Sequence, residues 1–145
     1  MPPAPPDPFA VVIDGPPVSA QARRKANRHA WTAVVRQNAA AAWPPGAPPF
    51  GGPVAVELLY LHDPPGPGTS PPLDADNLAK PILDGLKGVA YGDDAAVLEL
   101  RVHKRDRSLP PVSAAARPLY DARVKSGPQF VHVAVRPLPN PLVIP

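Results

Sequence analysis

Val54-Ala55-Val56-Glu57-Leu58-Leu59-Tyr60-Leu61-His62 is the stretch on which the fold turns. Alternate residues of a strand face opposite ways, so Val54, Val56, Leu58 and Tyr60 line one side and Ala55, Glu57, Leu59 and Leu61 the other. Apart from Glu57, both sides are apolar. That is the pattern of a central strand, covered on both faces and flanked by other strands.

The flanking sequence supplies the neighbours. Residues 9–14 (FAVVID) read as a strand with Phe9, Val11 and Ile13 on one face, ended by Gly15-Pro16-Pro17. Residues 95–104 alternate strongly, which predicts Leu98, Leu100 and Val102 inward and Glu99, Arg101 and His103 outward. Residues 129–136 (QFVHVAVR) give a last strand with Val131, Val133 and Val135 inward. Two segments carry helical spacing instead. Residues 19–42 have Ser19 as a candidate N-cap and Trp31, Val34 and Val35 on one stripe, with Ala30 and Ala42 near it. Residues 78–89 set Leu78, Ile82, Leu86 and Val89 on an inner stripe. The order β-α-β-α-β-β predicts an α/β (α+β) fold, a single small domain with a mixed sheet of about four strands and two main helices packed on it.

The chain has 145 residues, with 26 prolines and 10 glycines. So much Pro and Gly without a period is a warning of disorder. The hydrophobic share of 44% and charged share of 19% argue the other way, since disorder goes with low hydrophobicity and high charge. The prolines cluster between the patterned windows and act as punctuation, because proline is excluded from helix interiors and central strands. Heavy use of Ala, Pro, Arg and Gly fits a GC-rich genome better than a PxxP partner motif. Three parts are expected: a flexible Pro-rich N-terminus (1–8), a domain over 9–136, and a Pro-rich tail (137–145). Within the domain, 63–72 is a Pro/Gly loop and 105–128 a long basic loop. Cysteine is absent, which excludes disulfides and Cys-based zinc sites. No apolar run reaches the ~20 residues of a membrane span, and no basic-then-apolar secretory leader is visible. The expectation is a cytoplasmic protein without membrane contact.

Net charge is +3, but it is uneven. Between residues 74 and 94, Asp74, Asp76, Asp84, Asp93 and Asp94 stand against Lys80 and Lys87, a net of −3 that leaves the remainder at +6. Asp74 and Asp76 project to one side of an extended segment. Asp76, Lys80 and Asp84 are four apart, one helical stripe. Asp94 shares the parity of Leu98 and Leu100, so the strand return brings it toward the helix. Converging carboxylates stay ionised together only around a cation. Oxygen donors without His or Cys suit Mg²⁺ or Mn²⁺, and such ions typically act on phosphate. Lys80 is placed to stabilise developing charge. The plainer alternatives are a turn at Gly92-Asp93-Asp94 and a simple Lys80–Asp84 or Lys87–Asp84 helix pair. Arg23, Arg24, Lys25 and Arg28 crowd the positive end of the first helix, which a bound anion would relieve; a solvated charged face is the other reading. Pro81 falls inside the second helix, where its missing N–H leaves a carbonyl near residue 77 free.

The string Asp74-Ala75-Asp76-Asn77-Leu78-x-Lys80-x3-Asp84-x-Leu86-x-Gly88, followed by Asp93-Asp94-x2-Val97 and Lys104, resembles the signature of RusA-type Holliday junction resolvases, the crossover junction endodeoxyribonucleases. The match covers residues 74–104. The resemblance implies a homodimer that hydrolyses DNA phosphodiesters at four-way junctions with Mg²⁺, Mn²⁺ substituting, in recombination and repair, in a bacterium or from a phage or prophage. It implies metal binding by Asp74, Asp76 and Asp94, with Asp93 the adjacent candidate, and a catalytic role for Lys80. Asp84 matches a commonly acidic position without an assigned role. Arg23, Arg24, Lys25, Arg28, Lys104, Arg105 and Arg107 are the candidates to track the DNA backbone. Other branched substrates (flaps, forks), a catalytically silent junction clamp and a Pro-rich interaction module remain open at this point.

Overall fold

The computed structural model describes residues 2–64, 66–67, 73–106 and 128–139. Its elements are β1 (Phe9–Asp14), α1 (Lys25–Ala42), β2 (Val54–His62), α2 (Ala75–Leu86), a single 3₁₀ turn (Asp94–Ala96), β3 (Val97–Asp106) and β4 (Phe130–Pro137). The four strands form one mixed sheet in the order β1-β4-β2-β3. β4 pairs antiparallel with both β1 and β2, and β2 pairs parallel with β3. A parallel pair needs a crossover, and α2 provides it. The fold class and element order are those read from the sequence, and β2 is central as expected.

The register fixes the two faces. Val56, Leu58 and Tyr60 stand beside Val135, Val133 and Val131 on β4 and beside Leu100, Val102 and Lys104 on β3. This face meets both helices. Val35 and Ala39 of α1 and Leu78, Ile82 and Leu86 of α2 are fully buried with the β2 and β4 valines, with Trp31 at the edge of the same core. Aromatic edge contacts continue the core, Phe9 against Trp43 at 4.8 Å and Trp43 against Phe50 at 5.4 Å between ring centres. On the opposite face, Leu61 and Phe130 form a small cluster with Val12 and Leu59.

Several boundaries differ from the sequence reading. α1 starts at Lys25, not Ser19. The Ser19 hydroxyl accepts the Gln21 amide at 3.0 Å, closing a local turn rather than capping a long helix. On α1 the buried stripe is Trp31, Val35 and Ala39, while Val34 is 37% exposed and Ala30 and Ala42 lie outside the core. α2 begins three residues earlier than expected and ends at Leu86, so Val89 falls in the turn beyond it. The β2–β3 register shifts between Val54 and Ala55 and leaves Leu98 without a partner, so the expected alternation breaks at the start of β3, and Leu98 and Leu100 are 56% and 42% exposed instead of buried. β3 is an edge strand, and the residues it packs against the core are Val97 and Val102. β4 extends to Pro137, and the Leu138 amide donates to Pro53 at 2.9 Å, so the sheet edge reaches into the expected tail. The basic loop beyond 106 and the tail beyond 139 lie outside the described residues.

The α1–α2 crossing is close because of Gly85. A Cβ there would meet Val35 at 2.7 Å and the Thr32 carbonyl oxygen at 2.9 Å. Neither neighbour has room to retreat, because Val35 is itself in the core. Gly85→Ala should therefore destabilise the protein by about 1–3 kcal/mol through overpacking, against the helix-propensity gain of alanine. Urea denaturation monitored by circular dichroism checks this; unchanged stability would show that the helices are free to separate.

Candidate functional site

The acidic helix is built so that its backbone is held and its charges are free. Asp74 occupies the N-cap position in extended conformation, yet its carboxylate makes no capping bond. Asp76 lies in the first turn, where the helix dipole favours negative charge. Both are exposed, and neither has a hydrogen-bond or ion-pair partner among the described residues. The two therefore straddle the start of the helix instead of sharing one extended segment.

Further along α2, Lys80 Nζ donates to Asp84 Oδ1 at 2.9 Å. This is the i,i+4 pair of the plainer reading, and it leaves Asp76 outside the pair. The Asp84 hydrogen bond, and then its charge, hold the Lys80 ammonium above its usual range, with Asp94 adding to the pull. Asp94 opens the 3₁₀ turn that leads into β3. It also acts on Tyr91, whose phenol is raised first by burial and then by Asp94 and Asp84. Asp93 leans toward Lys87 at 3.9 Å, a separate surface contact.

The far end of β3 closes on the other end of the helix. Lys104 Nζ donates to the Leu73 carbonyl at 2.8 Å, which brings a cation beside Asp74. Arg105 sits on the opposite sheet face and donates through Nη1 to the Lys104 carbonyl at 2.9 Å. Arg23 and Arg24 ahead of α1 and Lys25 at its start are exposed, and α1 has no acidic residue in its first turn and no side-chain cap. Arg28 is committed in part: its Nη1 donates to the Ala20 carbonyl at 2.7 Å. Arg107 lies outside the described residues.

Four anchors of α2 were not singled out in the sequence. Thr32 Oγ1 donates to the Pro81 carbonyl at 3.2 Å. Arg36 Nη2 donates to the Asp84 carbonyl at 2.7 Å, and the Tyr91 hydroxyl donates to the Leu83 carbonyl at 2.7 Å. The Ala20 amide donates to the Asn77 carbonyl at 3.0 Å. Thr32 and Arg36 are four apart on α1, one step from the Trp31–Val35 stripe, and that spacing was their only signal. Gly88 follows the helix at φ +88°, the left-handed conformation that ends helices with glycine, and its amide donates to the Tyr91 carbonyl at 2.7 Å.

The donor chemistry of Asp74, Asp76 and Asp94 suits a hard divalent cation. The geometry is less complete. Among the described residues, no three Asp, Glu or His side chains stand close enough to hold one ion. The carboxylates are instead spread out, with Asp74 and Asp76 at the start of α2 and Asp94 in the 3₁₀ turn ahead of β3.

A comparison with known families matches residues 14–114 to Endodeoxyribonuclease RusA. The match spans Asp74, Asp76, Lys80, Asp93, Asp94 and Lys104 and covers most of the chain. The protein belongs to the RusA endodeoxyribonuclease family. No curated protein matches the chain closely enough to serve as a relative. Among the described residues, no helix is long and apolar enough to cross a membrane.

The Lys80–Asp84 pair is open to a direct check. In Asp84→Asn the ammonium loses its main stabilising partner, so its pKa should fall toward the ordinary lysine value. Because the pair is exposed, stability should change by no more than about 1 kcal/mol. Lysine titration by NMR reads the first effect; an unshifted Lys80 would show that the pair is not formed in solution.

Proposed function

We propose that the chain is a divalent-metal-dependent endonuclease that resolves Holliday junctions by paired phosphodiester hydrolysis, in recombination and repair, as a cytoplasmic homodimer of bacterial or phage origin. The observation that carries this reading is the family match across both acidic segments, together with exposed carboxylates on an anchored helix that have no partner among the described residues. Asp74 and Asp76, with Asp94 and the adjacent Asp93 as further candidates, would hold Mg²⁺ or Mn²⁺. Such an ion, when bound, lowers the pKa of a coordinated water and neutralises charge on the scissile group.

The chain's own residues supply the rest. Hydrolysis adds water to phosphorus and expels one deoxyribose oxygen, so negative charge grows on the phosphoryl oxygens and on the leaving group. Lys80, an ammonium at neutral pH, would donate to those oxygens once a phosphate displaces its carboxylate partner. Arg23, Arg24, Lys25, Lys104 and Arg105 grip the backbone on either side. Phosphate contacts release counterions, so this grip weakens with salt.

A four-way junction has two equivalent strands to cut, which calls for two equivalent active sites. The outer half of β3 supports self-association: Leu98 and Leu100 are exposed on an edge strand, and bare apolar edges pair readily.

Two experiments test this reading. A synthetic four-way junction incubated with Mg²⁺ should be cut into nicked duplexes, and EDTA should abolish cutting. Asp76→Asn should lower the rate by roughly a hundredfold or more while binding in EDTA stays close to wild type. Equal cleavage by the variant would remove Asp76 from the site, and cutting of flaps but not junctions would replace the substrate. Separately, Leu100→Asp should shift the protein from dimer to monomer in sedimentation velocity; an unchanged dimer would place the interface elsewhere.

A further inference from the structure

A proline inside a helix withholds one amide, and the carbonyl four residues back loses its partner. Here the pair is Pro81 and Asn77. Pro81 is buried in the body of α2, well past the first turn. The Asn77 carbonyl is nevertheless satisfied, because the Ala20 amide donates to it at 3.0 Å. Ala20 comes from the segment ahead of α1, and its own carbonyl accepts from Arg28 Nη1 at 2.7 Å. The same segment is folded on itself: Ser19 accepts the Gln21 amide through Oγ at 3.0 Å and the Ala22 amide through its carbonyl at 3.1 Å. Arg23 and Arg24 follow directly and are exposed. Asn77 is the neighbour of Asp76. A main-chain bond to the carbonyl that Pro81 leaves without a helical donor thus ties the arginine-bearing segment to the acidic first turn.

We propose that Pro81 is a positioning residue. By withholding its amide it keeps the Asn77 carbonyl open for Ala20, and so sets the spacing between Arg23 and Arg24 and the carboxylates at the start of α2. The consequence for turnover rests on the nuclease reading above; the docking of Ala20 does not. Alanine at position 81 brings an amide that closes the Asn77 carbonyl within the helix and displaces Ala20. Alanine is also a far better residue than proline in a helix interior, so the variant keeps its fold. A residue that served stability alone would lose stability on replacement. The positioning role implies the opposite split, with stability held or raised and turnover lost.

The test compares wild type, Pro81→Ala and Arg28→Gln in three measurements: amide hydrogen exchange on the free protein, thermal melting, and single-turnover cleavage of a synthetic four-way junction in Mg²⁺. In Pro81→Ala the Ala20 amide should exchange roughly tenfold faster or more, with the Ile82–Leu86 amides unchanged and the melting temperature equal or higher. Cleavage at saturating protein should slow by roughly tenfold to a hundredfold, while junction affinity in EDTA stays within about threefold because the arginines remain. Arg28→Gln releases Ala20 from the other side and should speed the same amide. An Ala20 amide that exchanges as in wild type would overturn the docking, and a fast Ala20 amide with wild-type turnover would overturn the positioning role. Exchange is read without DNA. A wild type that fails to cut any junction would therefore count against the nuclease reading, while the Ala20 rate still decides the docking.

Discussion

The arrangement depends on where the main-chain carbonyls of α2 find their donors. Asn77 takes the Ala20 amide, Pro81 takes the Thr32 hydroxyl, Leu83 takes the Tyr91 hydroxyl and Asp84 takes the Arg36 guanidinium. Leu73, just ahead of the helix, takes Lys104. Each such bond contributes a net ~0.5–1.5 kcal/mol, modest singly. Together they come from the segment before α1, from α1 itself, from the turn before β3 and from β3. The helix is therefore fixed from several directions, and Gly85 lets α1 approach closely enough for Thr32 and Arg36 to reach it.

This construction separates support from chemistry. The apolar stripe of Leu78, Ile82 and Leu86 holds α2 on the sheet, and the carbonyl anchors set its orientation. The charged side chains are then spared structural duties. Asp74 does not cap its helix and Asp76 makes no ion pair among the described residues, so both are open to a cation or to the solvent layer around a phosphate. Lys80 is partnered, but only by an exposed carboxylate one turn away, a bond of a kind that a phosphate oxygen readily replaces.

The strands were legible in the sequence because their period of two is unambiguous in β2, β3 and β4. The acidic residues stand out by chemistry and spacing, but the convergence that spacing suggests is not present among the described residues. Helix starts were not legible. Asp74-Ala75 reads equally as extended chain, and Ser19 offers the same hydroxyl to a local turn as to a helix. Leu98 and Leu100 show the limit of parity: a register shift at the start of β3 breaks the alternation, and burial on an edge strand depends on neighbours outside the strand's own sequence. The anchors were the least visible part, because main-chain carbonyls carry no sequence signature. Asn77 is the exception. Pro81 announced that a carbonyl near residue 77 lacked its usual donor, and the fold answered with Ala20.

The most direct measurement is to titrate Mn²⁺ into ¹⁵N-labelled protein and follow which amides its paramagnetism broadens first. The expected result is early, selective loss of the amides of Asp74, Ala75, Asp76 and Asn77, joined by those of Asp93, Asp94 and Ala95, with Asp76→Asn removing the effect. First loss around His62 and Asp63, or uniform broadening that Asp76→Asn leaves unchanged, would contradict the assignment of the acidic end of α2 as the hydrolytic centre.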